Sequence, residues 1–145
     1  VHYPIPEVDD MTSEPDLVTS AELLRSLDAR LKAAAREDRS EIASEFRRVH
    51  DETTGPYHRA IAEVRAGDVS SAPLAIDYLE RRPRFFRSGY LAVSLLRALE
   101  AAELDGRMRD RFLAAVRAIA EERPSRESHR ARLIAARAAA RTSSR

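Results

Sequence analysis

From Ser20 to the C-terminus, apolar side chains return every three or four residues, and no stretch alternates with the period of a strand for long enough to form one. Such a chain buries its apolar stripes only by packing helix on helix. Leu23, Leu24, Leu27, Leu31, Ala34 and Ala35 mark a first predicted helix from Ser20 to about Glu37, opened by the capping-box pair Thr19 and Glu22. Asp38 or Ser40 caps a second, to about Glu52, with Ile42, Phe46 and Val49 inward. Thr53-Thr54-Gly55-Pro56 reads as a turn, with Pro56 entering a third helix that carries Tyr57, Ile61 and Val64 and closes at Gly67-Asp68. Ser70 or Ser71 opens a fourth helix, with Pro73 in its first turn and Pro83 as its stop. The fifth, about Arg84 to Leu104, has the broadest apolar arc: Phe86, Tyr90 and Val93 on one line, Phe85, Gly89, Ala92, Leu96 and Leu99 on the next, with Gly106 as an αL stop. A sixth spans about Arg107 to Glu122, and after Pro124 Ser125 caps a seventh, which carries Leu133 and Ile134 and fades into Ala and Arg. The expected fold is all-α: a single-domain bundle or short α-α solenoid of about seven helices over residues 19–141, with a tail at 142–145. A domain of this size buries about 68–70% of its unfolded surface, enough for a core without staples.

Glu80-Arg81-Arg82-Pro83 and Glu121-Glu122-Arg123-Pro124 stand 41 residues apart, each at a predicted helix end. With the helices that flank them, over about half the chain, they resemble α-α repeats of the HEAT or armadillo type, whose periods are about 40–47 residues. The resemblance implies that the fourth and fifth helices form one hairpin and the sixth and seventh another. It implies nothing about function, which lives in sites rather than folds.

Residues 1–18 differ from the rest. Pro4, Pro6 and Pro15 favour an extended arm, and Tyr3, Ile5 and Val8 give it apolar side chains for docking. The arm carries a charge of −5, so the remaining residues carry +6, and residues 107–145 alone carry +7. An acidic arm joined to a basic C-terminal third suggests either that the arm covers the basic face or that the face receives an external anion. Of the 25 basic residues only Lys32 is not Arg, a bias that fits the codon usage of a GC-rich bacterial genome throughout the chain. There is no cysteine, which excludes disulfides, thiolate metal sites and Cys nucleophiles. No apolar run approaches the ~20 residues of a membrane span, and the start lacks a signal-peptide pattern, so a cytoplasmic protein without membrane attachment is expected.

Two groups of arginines are candidate partner-binding residues. Arg81, Arg82, Arg84 and Arg87 crowd with Phe85, Phe86 and Tyr90 into residues 81–90. Guanidinium groups beside a helix start suit a phosphate or a carboxylate. The plainer reading makes the rings core anchors, Gly89 a point of close helix approach, and pairs the arginines with acids such as Asp77 and Glu80. Arg126, Arg130, Arg137 and Arg141 recur along one face of the last helix, flanked by Arg123 and His129. A basic stripe can track phosphates, but no aromatic residue interleaves there to stack bases. Ala131, Ala135, Ala136 and Ala138–140 allow tight packing, including across a subunit interface.

Chemistry is harder to find. His50 and His58 flank the predicted turn beside Asp51 and Glu52, but their spacing matches no zinc motif, and exposed polar residues around a loop is the better account. Glu41, Glu45 and Glu52 share a face with Arg48 and read as an ion-pair face rather than an acid–base pair. No phosphate loop, nucleophile elbow or metal helix is present. The expectation is a non-enzymatic binding or scaffold protein with no catalytic residues, metal or cofactor. It docks an acidic protein partner, a second copy or its own acidic arm through Arg81, Arg82, Arg84 and Arg87, extended by Arg126, Arg130 and Arg137. A nucleic-acid-binding accessory protein is the first alternative, and it requires arginines of the fifth and seventh helices to lie on one face. An enzyme is the second, and it requires a deep pocket joining Tyr78, Tyr90 and a carboxylate.

Overall fold

The computed structural model describes residues 16–143, and these are all-α: helices α1 (Leu17–Ala33), α2 (Arg36–Arg65), α3 (Ala72–Arg81), α4 (Ser88–Ala101), α5 (Gly106–Ala120) and α6 (Arg126–Ser143), with one 3-10 turn at Val69–Ser71. The expected docking of the acidic arm lies outside the described residues. No described helix is long and apolar enough to cross a membrane. The chain divides between Thr53 and Thr54 into two compact units.

In the first unit, α1 begins three residues before the predicted start. Asp16 takes the N-cap position, its carboxylate accepting from the Val18 backbone N–H at 3.3 Å and from the Thr19 hydroxyl at 2.8 Å. A carboxylate is the stronger cap, so Thr19 falls inside the helix and Leu17 and Val18 leave the arm. Leu17, Ala21, Leu24 and Leu27 are the buried stripe, whereas Leu23 is exposed. The helix ends at Ala33, before two alanines that favour helix, so no local propensity causes that break.

The predicted turn at residues 53–56 does not exist. Helix α2 runs through it with Pro56 inside, and Thr53 and Thr54 are buried. Burial of the threonines outweighs the turn preference of Gly55-Pro56, although an internal proline forfeits one helix hydrogen bond. Two predicted helices are therefore one, and His50 and His58 lie on a single continuous helix rather than on either side of a turn. His50 instead stacks on Phe46, with ring centroids 5.7 Å apart.

The second unit follows the sequence more closely. Gly67 adopts φ 95° at the exit of α2, where an L side chain would be strained. The Asp68 carboxylate then accepts from the Ser70 N–H at 3.1 Å and opens the 3-10 turn. Helix α3 packs on α4 and on α5, α5 packs on α6, and α6 packs on α4. This is the adjacency of two stacked helical hairpins, α3–α4 and α5–α6. Their loops echo each other: the Phe85 N–H donates to Ser88 Oγ at 3.2 Å, and the Ser125 N–H donates to Ser128 Oγ at 2.8 Å. Ile76, Leu79, Leu95, Leu96, Leu99, Phe112, Val116, Ile119 and Ile134 are fully buried and form the core of this unit. Gly106, expected as a stop, is instead the first residue of α5, because Asp105 caps that helix by accepting from the Met108 N–H at 2.9 Å. Helix α6 is covered within its own chain through Ala131 and Ile134, while Leu133 is exposed.

Candidate functional site

The loop between α3 and α4 fixes where its arginines point. Arg82 ends α3 in the left-handed region at φ 50°, and Arg87 precedes α4 at φ 65°. The expected helix from Arg84 onward is interrupted by this second left-handed residue, so the predicted line of Phe86, Tyr90 and Val93 loses its phase. Phe85 is buried against Tyr78, with centroids 6.5 Å apart, but Phe86 and Tyr90 are 49% and 53% exposed. Two of the three expected core anchors are therefore surface rings. Tyr78 is buried and Tyr90 exposed, so the pocket that would have favoured an enzyme is not formed by them.

The corner arginines are engaged within the fold. Arg81 pairs with Asp77 one turn earlier, at 2.8 Å. Arg82 forks onto Glu122, its Nε at 2.8 Å, and reaches Glu127 at 3.5 Å. Arg84 stands 3.9 Å from Glu122 and is largely exposed. The guanidinium of Arg87 lies over the Phe86 ring at 5.1 Å. The Glu127 carboxylate is buried against Gly89, where an added Cβ would sit 2.9 Å from both of its oxygens. Gly89 thus admits a carboxylate from α6 to the start of α4, the close approach foreseen for it.

Two further forks tie the hairpins together. Arg111 of α5 donates to both oxygens of Glu80 on α3, at 2.9 and 2.7 Å, and Arg137 of α6 does the same to Glu100 on α4, at 2.8 and 2.7 Å. The hydrogen bonds from Arg111 and Arg137 hold the Glu80 and Glu100 carboxyls below the usual glutamate value. A depressed folded-state pKa contributes stability that is present above the unfolded value of 4.5 and lost as pH falls through the folded one. Melting temperature should therefore decline as pH drops below about 4.5, and Glu80→Gln with Glu100→Gln should flatten that decline. An unchanged acid profile in the double variant would show that the forks do not contribute it.

With the Arg137 fork in place, α4 and α6 run parallel: Arg126 lies over the Tyr90 ring at 4.5 Å near their starts, and Arg137 meets Glu100 near their ends. Between them is a groove of about 400 Å³, lined by Tyr90, Val93, Ser94 and Arg97 of α4 and by Arg126, His129 and Arg130 of α6. The α4 residues recur at three- and four-residue spacing, as do those of α6, so each set occupies one helix face. No carboxylate lines the groove. Its upper end is the N-terminus of α6, capped reciprocally by Ser125 and Ser128, where the helix dipole adds positive potential.

Of the arginines singled out in the sequence, Arg126 and Arg130 meet in this groove, Arg137 is spent on Glu100, and Arg81, Arg82, Arg84 and Arg87 belong to the neighbouring corner. Arg97 was missed; its signal was the seven-residue offset from Tyr90, which puts both on one face of the same helix. A second basic groove of about 260 Å³ lies between α5 and α6, with Arg109, Arg117 and Arg141 around Leu113 and Val116. Among the described residues no group of three or more His, Asp or Glu is placed to hold a metal ion. Comparison with known proteins finds no matching family model, curated protein or solved structure. Fold and groove together define an all-α protein with a cationic, tyrosine-bearing face.

Proposed function

We propose that this is a non-enzymatic binding protein whose α4–α6 groove docks an acidic segment of a protein partner. One observation carries the reading: Arg97, Arg126, His129 and Arg130 converge from two helices on an exposed tyrosine, with no carboxylate in the lining. Arginine forks match carboxylates in pairs, and Tyr with Arg forms the usual anchor of a protein interface. Arg84, Arg87 and the exposed Phe86 extend the surface toward the α3–α4 corner. A peptide of the chain's first 18 residues, which carry −5, supplies an acidic probe of defined composition.

The test is fluorescence anisotropy of a labelled peptide of residues 1–18 against the full chain in dilute salt. Arg97→Gln with Arg130→Gln should weaken binding by roughly tenfold or more, the worth of lost charge-assisted pairs. Unaltered affinity in that double variant would overturn the reading. Nucleic acid remains the second reading for a specific reason: Tyr90 brings beside the arginines of α6 the aromatic ring that helix lacks in sequence. An oligothymidylate that binds more tightly than the peptide, and loses affinity in the same variant, would select it.

A further inference from the structure

We infer that the groove recognises a phosphate monoester, carried as phosphoserine or phosphothreonine on the acidic segment that docks there. The inference rests on the docking reading above and narrows its ligand.

Donor supply is the first reason. Three arginines, Arg97, Arg126 and Arg130, line one small groove together with His129, Tyr90 and Ser94. A single carboxylate offers two oxygens and one negative charge, too few acceptors for this set. A phosphate monoester offers three terminal oxygens and a charge of about −1.5 to −2 at neutral pH, and arginine binds it bidentately.

The second reason is that the cationic stretch is interrupted at both ends of the groove. Beyond Arg97 and Arg130 the groove meets Glu100, already neutralised by Arg137. At the α6 start, Arg82 is consumed by Glu122 and Glu127. A polyanionic strand following α6 past Arg130 therefore meets the closed Arg137–Glu100 pair before it reaches Arg141. A compact dianion engages Arg97, Arg126 and Arg130 together without crossing these ion pairs; a long strand has to cross them. This favours a single phosphate on a peptide over a nucleic-acid backbone, whose affinity grows with the number of phosphates neutralised.

The third reason is the frame. Tyr90 is held under Arg126, so ring and guanidinium are ordered together, and the N-terminus of α6 directs its positive end to the same place. The packed core beneath α4 (Leu91, Leu95 and Leu96 are all buried) fixes the face that presents Tyr90, Ser94 and Arg97.

The decisive experiment compares three acidic peptides that differ only at one central position, bearing phosphoserine, glutamate or serine, by calorimetry with the full-length chain. The phosphoserine peptide should bind roughly tenfold or more tightly than the other two. Inorganic phosphate should compete with it, and Arg97→Gln should abolish the preference while Arg117→Gln, in the α5–α6 groove, preserves it. Equal affinity for the phosphoserine and glutamate peptides would overturn this inference and leave acidic docking intact. Failure of all three, together with the peptide of residues 1–18, would overturn both. A phosphate preference that survives Arg97→Gln with Arg130→Gln would place the phosphate elsewhere and also overturn it. So would displacement of the phosphopeptide by oligothymidylate at lower concentration than by unlabelled phosphopeptide.

Discussion

Tyr78→Ala is expected to cost about 4 kcal/mol of unfolding free energy, within the range for truncating a large buried side chain. Tyr78 is fully buried in α3 and is the largest such residue among the described residues. Its ring meets Tyr57 of α2 edge-on at 4.9 Å and Phe85 of the following loop at 6.5 Å. Its hydroxyl donates to the Ser88 carbonyl at 3.0 Å, fastening α3 to the first turn of α4. Burial pushes its phenol well above the usual tyrosine value, so it stays a neutral donor across the physiological range. Tyr78→Phe keeps the ring and removes the donor, and should cost only about 1 kcal/mol. Chemical denaturation measures both. A loss below about 1.5 kcal/mol for the alanine variant would be inconsistent with a buried ring packed edge-on against two others. Because α4 carries half of the groove, Tyr78→Ala should also weaken acidic-peptide binding in molecules that remain folded.

Arg82→Ala should cost about 3 kcal/mol, the penalty for stranding a buried carboxylate. Only 16% of the Arg82 side chain and 10% of the Glu127 side chain are exposed, so the contact lies largely out of water. Removing the guanidinium takes away the cation paired with Glu127, whose carboxylate lies against Gly89. Adding Glu127→Gln to the Arg82→Ala protein should therefore restore more than about 1 kcal/mol, by eliminating the stranded charge. Backbone conformation gives a second measurement. Arg82 sits at φ 50°, where glycine is unstrained and alanine is not. Arg82→Gly should then be about 1 kcal/mol more stable than Arg82→Ala. A drop of less than about 0.5 kcal/mol for Arg82→Ala would identify the pair as an ordinary surface contact. Gly89→Ala tests the same clamp from the other side, since its Cβ must displace the Glu127 carboxylate.

Local sequence determined the helical class, the breaks at Pro83 and Pro124, the left-handed close at Gly67 and the small residue at position 89. Each follows from a property of one residue: a missing N–H, a missing Cβ, or an apolar side chain repeating at the helical period. The 41-residue echo of Glu80–Pro83 and Glu121–Pro124 leads into two loops that repeat one hydrogen bond, from the Phe85 N–H to Ser88 Oγ and from the Ser125 N–H to Ser128 Oγ. Tertiary structure decided the rest. Burial of Thr53 and Thr54 carried α2 through a turn signal. The left-handed backbone of Arg87 changed the phase of α4 and turned Phe86 and Tyr90 outward. Above all, the partition of the arginines is a matter of distance between helices: Arg82 meets acids 40 and 45 residues away, and Arg137 meets one 37 residues away. Helical periodicity places a side chain on a face but does not say which face lies opposite, so only the packed chain separates the arginines consumed in holding the hairpins together from those gathered around Tyr90.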